Sequence, residues 1–479
     1  MKMLIAGKEQ NSSNDEVIYV VNPATQEVVD SVPAATYEDI QAALDFAQAS
    51  KKSWSKVPTY ERSNILIRFT ELLNEHRREI ATTVCFESGK TLDSCFNELD
   101  SCINVFRAYA EKIRSFTGEV VPRDSEERVT GDLIFNYTEP MGVVVSIVPY
   151  NYPIELFAHK VAPALVTGNV VLVKPATETP LGNLMMSKLL LEAGVHPGAL
   201  QVITGHGSEI GNWLSESPKI DLISLTGSTR VGIEVAKKAA DNLTHVLLEL
   251  GGNDPFLIFE DADLDEAVQE TLAGRASNAG QTCCGSKRFI VSNKIKEEYQ
   301  NKLVAELKKI KVGNPLESDT YYGPVISERA AKGIEEQILL TIDQGGELLY
   351  GGKRFDRTFI EPTVITNVTK EMDVAKDMEI FGPVFPIIGF DTVEEAIEIA
   401  NQSCYGLSSG VLTKSMDIAM KVANEIEAGT CVIGGSGNYR SAHMPFGGCK
   451  MTGIGREGVT VTLSEYTQVK NVALKGFGK

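Results

Sequence analysis

The sequence has little that would tie it to a membrane, a nucleic acid or a metal. No apolar run approaches the roughly 18 residues that a membrane span needs, and the stretch Met1–Lys8 has too short an apolar core for a secretory signal. A cytoplasmic protein with no membrane partner is the expectation. Positive charge is in deficit. Lys and Arg number 46 against 64 Asp and Glu, a net charge of −18, which argues against nucleic acid or an anionic lipid surface as partner. None of the 8 cysteines stands in a Cys-x-x-Cys pair, so no metal site is expected. In a reducing compartment the cysteines outside the 283–284 pair read as small buried hydrophobes. Internal repeats and low-complexity segments are also missing.

What is present is a long chain of globular composition: 479 residues, 43% hydrophobic and 23% charged. That length exceeds one ordinary core, so two to three domains are expected. Short β-branched runs at 143–148, 169–173, 199–203, 222–225 and 245–250 alternate with helical patterns at 155–167, 181–193, 207–215 and 229–241. After Gly251-Gly252 the alternation resumes to about residue 434. Strands alternating with helices imply parallel, doubly wound sheets. The fold class is therefore α/β, with two doubly wound α/β domains and a small β arm. The boundaries read as 1–117 with 139–250 for one domain, 251–450 for the second, and 118–138 with 460–479 for the arm. The arm and the strand-like tail Glu465–Leu474 pair either between subunits or within one chain.

One stretch organises the rest: Asn278-Ala279-Gly280-Gln281-Thr282-Cys283-Cys284-Gly285, between a helical segment (264–276) and a strand (288–291). Adjacent cysteines fit a mutual disulfide poorly, so either thiol is a candidate nucleophile. Glu249, at a strand end before Gly251-Gly252, reads as a base or as a turn carboxylate. Asn151, between Tyr150 and Tyr152-Pro153, reads as an oxyanion donor or a turn former. Gly227-Ser228-Thr229-Arg230-Val231-Gly232 opens a helix after a strand, where a phosphate would be favoured. Its spacing is not that of the usual dinucleotide fingerprint. Lys174-Pro175 adds a cation at the end of a neighbouring strand.

These pieces, with Asn22-Pro23-Ala24-Thr25, Glu87-Ser88-Gly89-Lys90, Glu379-Ile380-Phe381-Gly382-Pro383 and Pro445-Phe446-Gly447-Gly448, resemble the NAD(P)-dependent aldehyde dehydrogenase superfamily over essentially the whole chain. The order and spacing carry the match, including the 34 positions from Glu249 to Cys283. The resemblance implies a Rossmann-like cofactor domain, a catalytic domain and an oligomerisation arm, in a homodimer or homotetramer. It selects Cys283 as the nucleophile. It pairs Asn151 with the Cys283 amide as oxyanion hole, makes Glu249 the base for the hydrolytic water, and puts Lys160 near the proton relay. It assigns Lys174 to the adenosine ribose, Gly227, Ser228 and Gly232 to the pyrophosphate, Glu379 to the nicotinamide ribose, and Tyr150, Leu250 and Phe381 to packing around the cofactor. The implied activity is oxidation of a small aldehyde to the free acid with NADP or NAD. Acyl transfer to coenzyme A is the alternative, disfavoured by Glu249, and a non-catalytic member of the fold is the third.

The chain departs from the family pattern in places. Thr177 replaces a glutamate common in NAD-preferring relatives, so NADP is expected to be accepted or preferred. Tyr150 and Leu225 replace more usual aromatics. His159 stands where many relatives carry a tunnel aromatic, and reads as a polar tunnel wall or as a structural histidine. Arg440 and His443 precede Met444-Pro445-Phe446 and suit an anionic aldehyde of the semialdehyde kind, with a surface ion pair as the alternative for Arg440. Thr282, before the nucleophile, supplies no cation for a phosphorylated substrate.

Overall fold

The computed structural model describes residues 1–477. Two sheets dominate. The first has at its centre five parallel strands in the spatial order Leu200–Val202, Val170–Lys174, Val143–Ile147, Leu222–Thr226, His245–Glu249. The chain starts in the middle at Val143–Ile147, winds outward to one side, then returns to wind to the other. That reversal is the doubly wound pattern, with its crevice at the carboxyl ends beside the first strand. Val143–Val145 and Val170–Val173 are wholly buried, as strands covered by helices on both faces must be.

The edges of this sheet are closed by distant segments. Met3–Ile5 and Lys8–Gln10 form a hairpin that joins at Leu200–Val202. Gly453–Ile454 pairs antiparallel with Leu248 and Glu249.

The second sheet holds six parallel strands in the order Thr363–Val368, Val384–Phe390, Arg288–Ser292, Pro255–Ile258, Ser408–Leu412, Thr430–Ile433, with antiparallel Glu347–Tyr350 at one edge. Each sheet has its own apolar core. One is built from residues between Met3 and Leu250 together with Val459, Leu463 and Tyr466; the other runs from Phe256 to Val422.

A third sheet of three strands, Val120–Val121, Leu133–Pro140 and Thr467–Leu474, stands apart. The tail strand pairs with Leu133–Pro140 of its own chain over eight residues, Thr467↔Pro140 to Leu474↔Leu133. The arm strand thus reaches Pro140, and Val459–Glu465 is a helix whose Val459 and Leu463 sit in the first core. Residues 478–479 of the tail lie outside the described residues.

The chain first passes from one sheet to the other through Leu250–Asp254, and returns after Thr430–Ile433 to add Gly453–Ile454 to the first sheet. Leu250–Asp254 leaves the carboxyl end of His245–Glu249 and enters the amino end of Pro255–Ile258. This short link brings the carboxyl edge of the first sheet against the amino edge of the second. Among the described residues no helix is long and apolar enough to cross a membrane.

Candidate active site

The cysteine loop is held in an unusual backbone conformation. Asn278 (φ 51°), Ala279 (φ 53°) and Gly280 (φ 75°) form a left-handed turn before Cys283. Each non-glycine residue there costs about 1–2 kcal/mol, so neighbours must hold it. Asn278 Nδ2 donates to Asn151 O at 3.0 Å, and Gln281 Oε1 accepts from Ile326 N at 2.9 Å. The buried Arg275 donates to Gly280 O at 3.3 Å and to Val384 O at 2.9 Å. Gly280 is required twice over, by its positive φ and because a Cβ would strike the Gly382 carbonyl.

The two thiols diverge. Cys284 is buried and directs Sγ to Asn438 Oδ1 at 3.5 Å; Cys283 is half-buried. The Cys283 thiol is pushed well up by contact with the Cys284 sulfur and by burial, with Lys287 and Arg440 pulling the other way. Asn151 reaches this loop from the carboxyl end of Val143–Ile147, and its Nδ2 donates to Gln281 O at 3.0 Å. A carboxamide nitrogen carries a second N–H. Tyr152 OH meets Thr282 Oγ1 at 3.2 Å.

Glu249 lies at the end of its strand, 6% exposed, with Oε2 unpartnered among the described residues. Burial, then the charge of Glu457, holds its carboxyl well above the usual range. Lys160 is buried and donates to Glu457 Oε1 at 2.9 Å and Ser224 Oγ at 3.1 Å. The other oxygen of Glu457 accepts from Arg440 at 2.7 Å. Burial works against the Glu457 anion, yet Lys160 and Arg440 hold it well below the ordinary carboxylate range. Arg440 also stacks on Phe446, 4.1 Å from the ring centroid.

Helix Pro153–Thr167 carries Glu155, His159 and Lys160. It is buried nearly all round, and its first amides are satisfied from outside. Glu98 Oε1 accepts from Ile154 N and Glu155 N at 2.9 and 3.1 Å. His159 is buried with Nδ1 unpartnered, and burial lowers its pKa to about 3, so the ring is neutral. His159, Glu155, Arg440 and the exposed His443 line one cavity of about 410 Å³.

A second cavity, of about 630 Å³, opens at the carboxyl ends of Val143–Ile147, Val170–Lys174 and Leu222–Thr226. Lys174 lines it, its pKa lowered to about 8 by burial. Ser228 caps helix Thr229–Ala240, which points its amino end at this side. Gly232 packs its bare Cα on Leu250, where a Cβ would come within 2.5 Å of Cδ2. Thr177 donates to Gly205 O at 3.2 Å, and the exposed Glu178 lines the cavity instead. Across the link, Glu379 sits 3.4 Å from Gly252 N, and Phe381 meets Tyr150 edge-to-face at 6.3 Å. A crevice lined by Lys174, Arg230, Lys238 and Arg329 with Gly207 and Gly211, at strand carboxyl ends and a helix amino end, fits a dinucleotide.

Residues 10–472 match the model of the aldehyde dehydrogenase family. The chain belongs to that family. It is 37% identical to a mitochondrial succinate-semialdehyde dehydrogenase of Arabidopsis thaliana, covering 98% of this chain and 88% of that one. It is 35% identical to a D-glyceraldehyde dehydrogenase (NADP(+)) of Picrophilus torridus, covering 98% and 96%. The structure superposes on betaine aldehyde dehydrogenase of Staphylococcus aureus in complex with NAD+ with a TM-score of 0.96, at 36% identity, covering 99% of this chain and 95% of that one. The protein is thus an NAD(P)-dependent aldehyde dehydrogenase of mixed α/β fold.

In this dehydrogenase the structure adds residues that the sequence alone left silent. Glu457 follows Gly455-Arg456 and is pinned by backbone pairing with Phe446 (Glu457 N to Phe446 O, 2.7 Å). A lone glutamate between glycines so near the family's Pro-Phe-Gly-Gly was the available signal. Lys90 pairs with Glu98 and lies 4.5 Å from the Tyr152 ring centroid. Glu87 accepts from Leu181 N and Gly182 N at 2.7 and 2.9 Å. The Glu87–Lys90 signature therefore braces the helices that follow Asn151 and Thr177. Among the described residues no cluster of His, Cys, Asp and Glu forms a metal site.

Proposed function

We propose that this dehydrogenase oxidises a small polar or anionic aldehyde to the free carboxylic acid, with Cys283 as nucleophile. The observation that carries this is the convergence of Cys283, the Asn151 amide on the adjacent Gln281 carbonyl, and the buried, unpaired Glu249 carboxyl at the junction of the two sheets. The Cys283 sulfur adds to the aldehyde carbon, giving a thiohemiacetal oxyanion. Asn151 and the Cys283 N–H stabilise that oxygen; one such donor is worth about 3–4 kcal/mol. The nicotinamide supplies the hydride acceptor when bound. Lys174, Gly227, Ser228, Gly232 and Leu250 form the adenosine and phosphate side of its cradle, with Glu379, Phe381 and Tyr150 at the other end. Glu249 then deprotonates the water that hydrolyses the Cys283 thioester. The Glu457 and Lys160 charges act on the Glu249 carboxyl in opposite directions, Glu457 raising and Lys160 lowering its proton affinity. An acyl transfer to coenzyme A would need no such base.

Arg440 supports the anionic substrate. Its guanidinium lines the cavity with Nε unpartnered, while a single N–H group serves Glu457. The neutral His159 adds a polar wall and His443 lies on the rim. The semialdehyde and glyceraldehyde specificities of the two relatives agree with this. For the cofactor, Lys174, Arg230, Lys238 and Arg329 outnumber Glu178 and Glu234 around the larger cavity, which supports NADP. The three-stranded arm supports a homo-oligomer: Val120 and Val469 are 66% and 65% exposed.

An aldehyde panel with NAD and NADP tests the reading. Short semialdehydes are expected to have the highest kcat/KM, and Arg440→Gln is expected to lower kcat/KM for them by roughly 10- to 100-fold, the worth of a charge-assisted hydrogen bond. Better turnover of long aliphatic or aromatic aldehydes would contradict it, as would a KM for NADP far above that for NAD at equal kcat.

A further inference from the structure

Lys287 sits directly behind the nucleophile loop and belongs to none of the roles above. Its ammonium is 1% exposed. It donates to the carbonyl oxygen of Cys283, to Gly285 O at 3.1 Å and to Asp254 Oδ2 at 3.3 Å, and it reaches Glu379 Oε1 at 3.5 Å. Its backbone is fixed as well, because Lys287 N donates to Asp254 O at 2.8 Å. Asp254 is anchored in turn by Ser408 N on its other oxygen, at 2.7 Å. One buried cation therefore touches both the thiol's own residue and Glu379, the carboxylate assigned above to the nicotinamide ribose. Two anions share it, and only Glu379 has a second task.

We propose that Lys287 is a positioning residue that couples occupancy of the cofactor crevice at Glu379 to the reactivity of Cys283. Ribose hydroxyls donated to Glu379 draw that carboxylate's charge away from the ammonium. Less neutralised, the ammonium acts more strongly on the Cys283 loop and favours the thiolate, the form that attacks. The thiol thus stays quiet until the electron acceptor is in place. The charged or titratable groups acting on Cys283 are Cys284, Lys287, Arg440 and Glu249. Those around Lys287 are Asp254 and Glu379, with Arg275 and Arg288 behind them. The coupling rests on the assignment of Cys283 as nucleophile and Glu379 as ribose ligand.

The test is the rate of Cys283 alkylation by iodoacetamide in the full-length enzyme, with and without saturating NADP, the adduct located by mass spectrometry. In the wild type NADP is expected to raise the rate by up to about tenfold, one pK unit of thiolate at a pH below the midpoint. Lys287→Met is expected to abolish that response while still binding NADP, measured by equilibrium dialysis. Lys287→Arg is expected to keep its direction. Glu379→Gln, with Lys287 intact, is expected to alkylate fast without cofactor, which keeps the test open if Lys287→Met fails to fold. An undiminished NADP response in Lys287→Met, or no NADP response in the wild type, overturns the coupling. Adducts forming on Cys284 instead of Cys283 overturn the nucleophile assignment and the coupling with it.

Discussion

The two sheets meet at one cleft by opposite ends of their strands. The first sheet presents carboxyl ends: Asn151 after Val143–Ile147, Lys174 closing Val170–Lys174, Gly227 after Leu222–Thr226, Glu249 closing His245–Glu249. The second presents amino ends: the Cys283 loop runs into Arg288–Ser292, and Glu379–Pro383 runs into Val384–Phe390. Carboxyl ends of parallel strands come with helix N-termini, and so with N–H groups and a dipole suited to phosphate. Amino ends lack that dipole. The second sheet instead supplies specific side chains and a strained loop: Cys283, Glu379, Lys287 and the left-handed turn at Asn278–Gly280. The lesson is a division of labour. On the proposed roles the first edge binds largely through backbone geometry and the second contributes the nucleophile, with Glu249 and Asn151 reaching across from the first, and the five-residue link Leu250–Asp254 joins the two edges.

Mutations on the two edges are expected to separate by kind. On the amino-end side, Cys283→Ser should cost at least about 10³-fold in kcat for aldehyde oxidation, as loss of a nucleophile does; initial rates at saturating substrate check it. Cys284→Ser should leave the rate within a few-fold, and equal losses at both positions would break the assignment. Asn151 and Glu249 are the exceptions on the carboxyl-end edge, side chains that serve chemistry. Asn151→Ala is expected to lower kcat by roughly 10²–10³-fold with the dissociation constant for NADP unchanged, measured by equilibrium dialysis. A loss confined to cofactor affinity would return Asn151 to the binding edge.

The smallest effect concerns pH. Glu249 is held above the usual carboxylate range, so its basic form appears only as pH rises past that raised value. The ascending limb of the rate profile is expected well above the ordinary glutamate region near 4.3. Glu457→Gln removes the neighbouring anion and should move that limb to lower pH by about one unit. A limb that stays put would remove Glu457 from the Glu249 environment.

Much of the first sheet was legible in the sequence, because its strands are unbroken β-branched runs, such as Val143-Val144-Val145, ended by turns containing Gly or Pro. The cysteine loop was legible from its glycines and adjacent thiols. Pairings between distant segments were not: Leu4 meets Val202, and Glu249 meets Gly453, and no local pattern encodes such a register. The helix Val459–Glu465, which overlaps the start of the stretch 460–479 assigned to the arm, is short and is fixed by packing against the first core rather than by propensity. Arg440 illustrates the same limit. Its charge suited an anionic substrate, but its ion pair with Glu457 depends on a loop and a turn meeting in three dimensions. Lys287 lay four residues from Cys283 in plain view, and only its contacts to two carboxylates give it meaning.

The division between the two edges is tested most directly by trapping the intermediate that both must build. Glu249→Gln enzyme, mixed with aldehyde and NADP and quenched within milliseconds, separates acylation from hydrolysis. The expected result is a burst of one NADPH per active site, followed by slow turnover, with the acyl group found on Cys283 by mass spectrometry. No burst, or an acyl group on Cys284, would contradict the assignment of thiol and base.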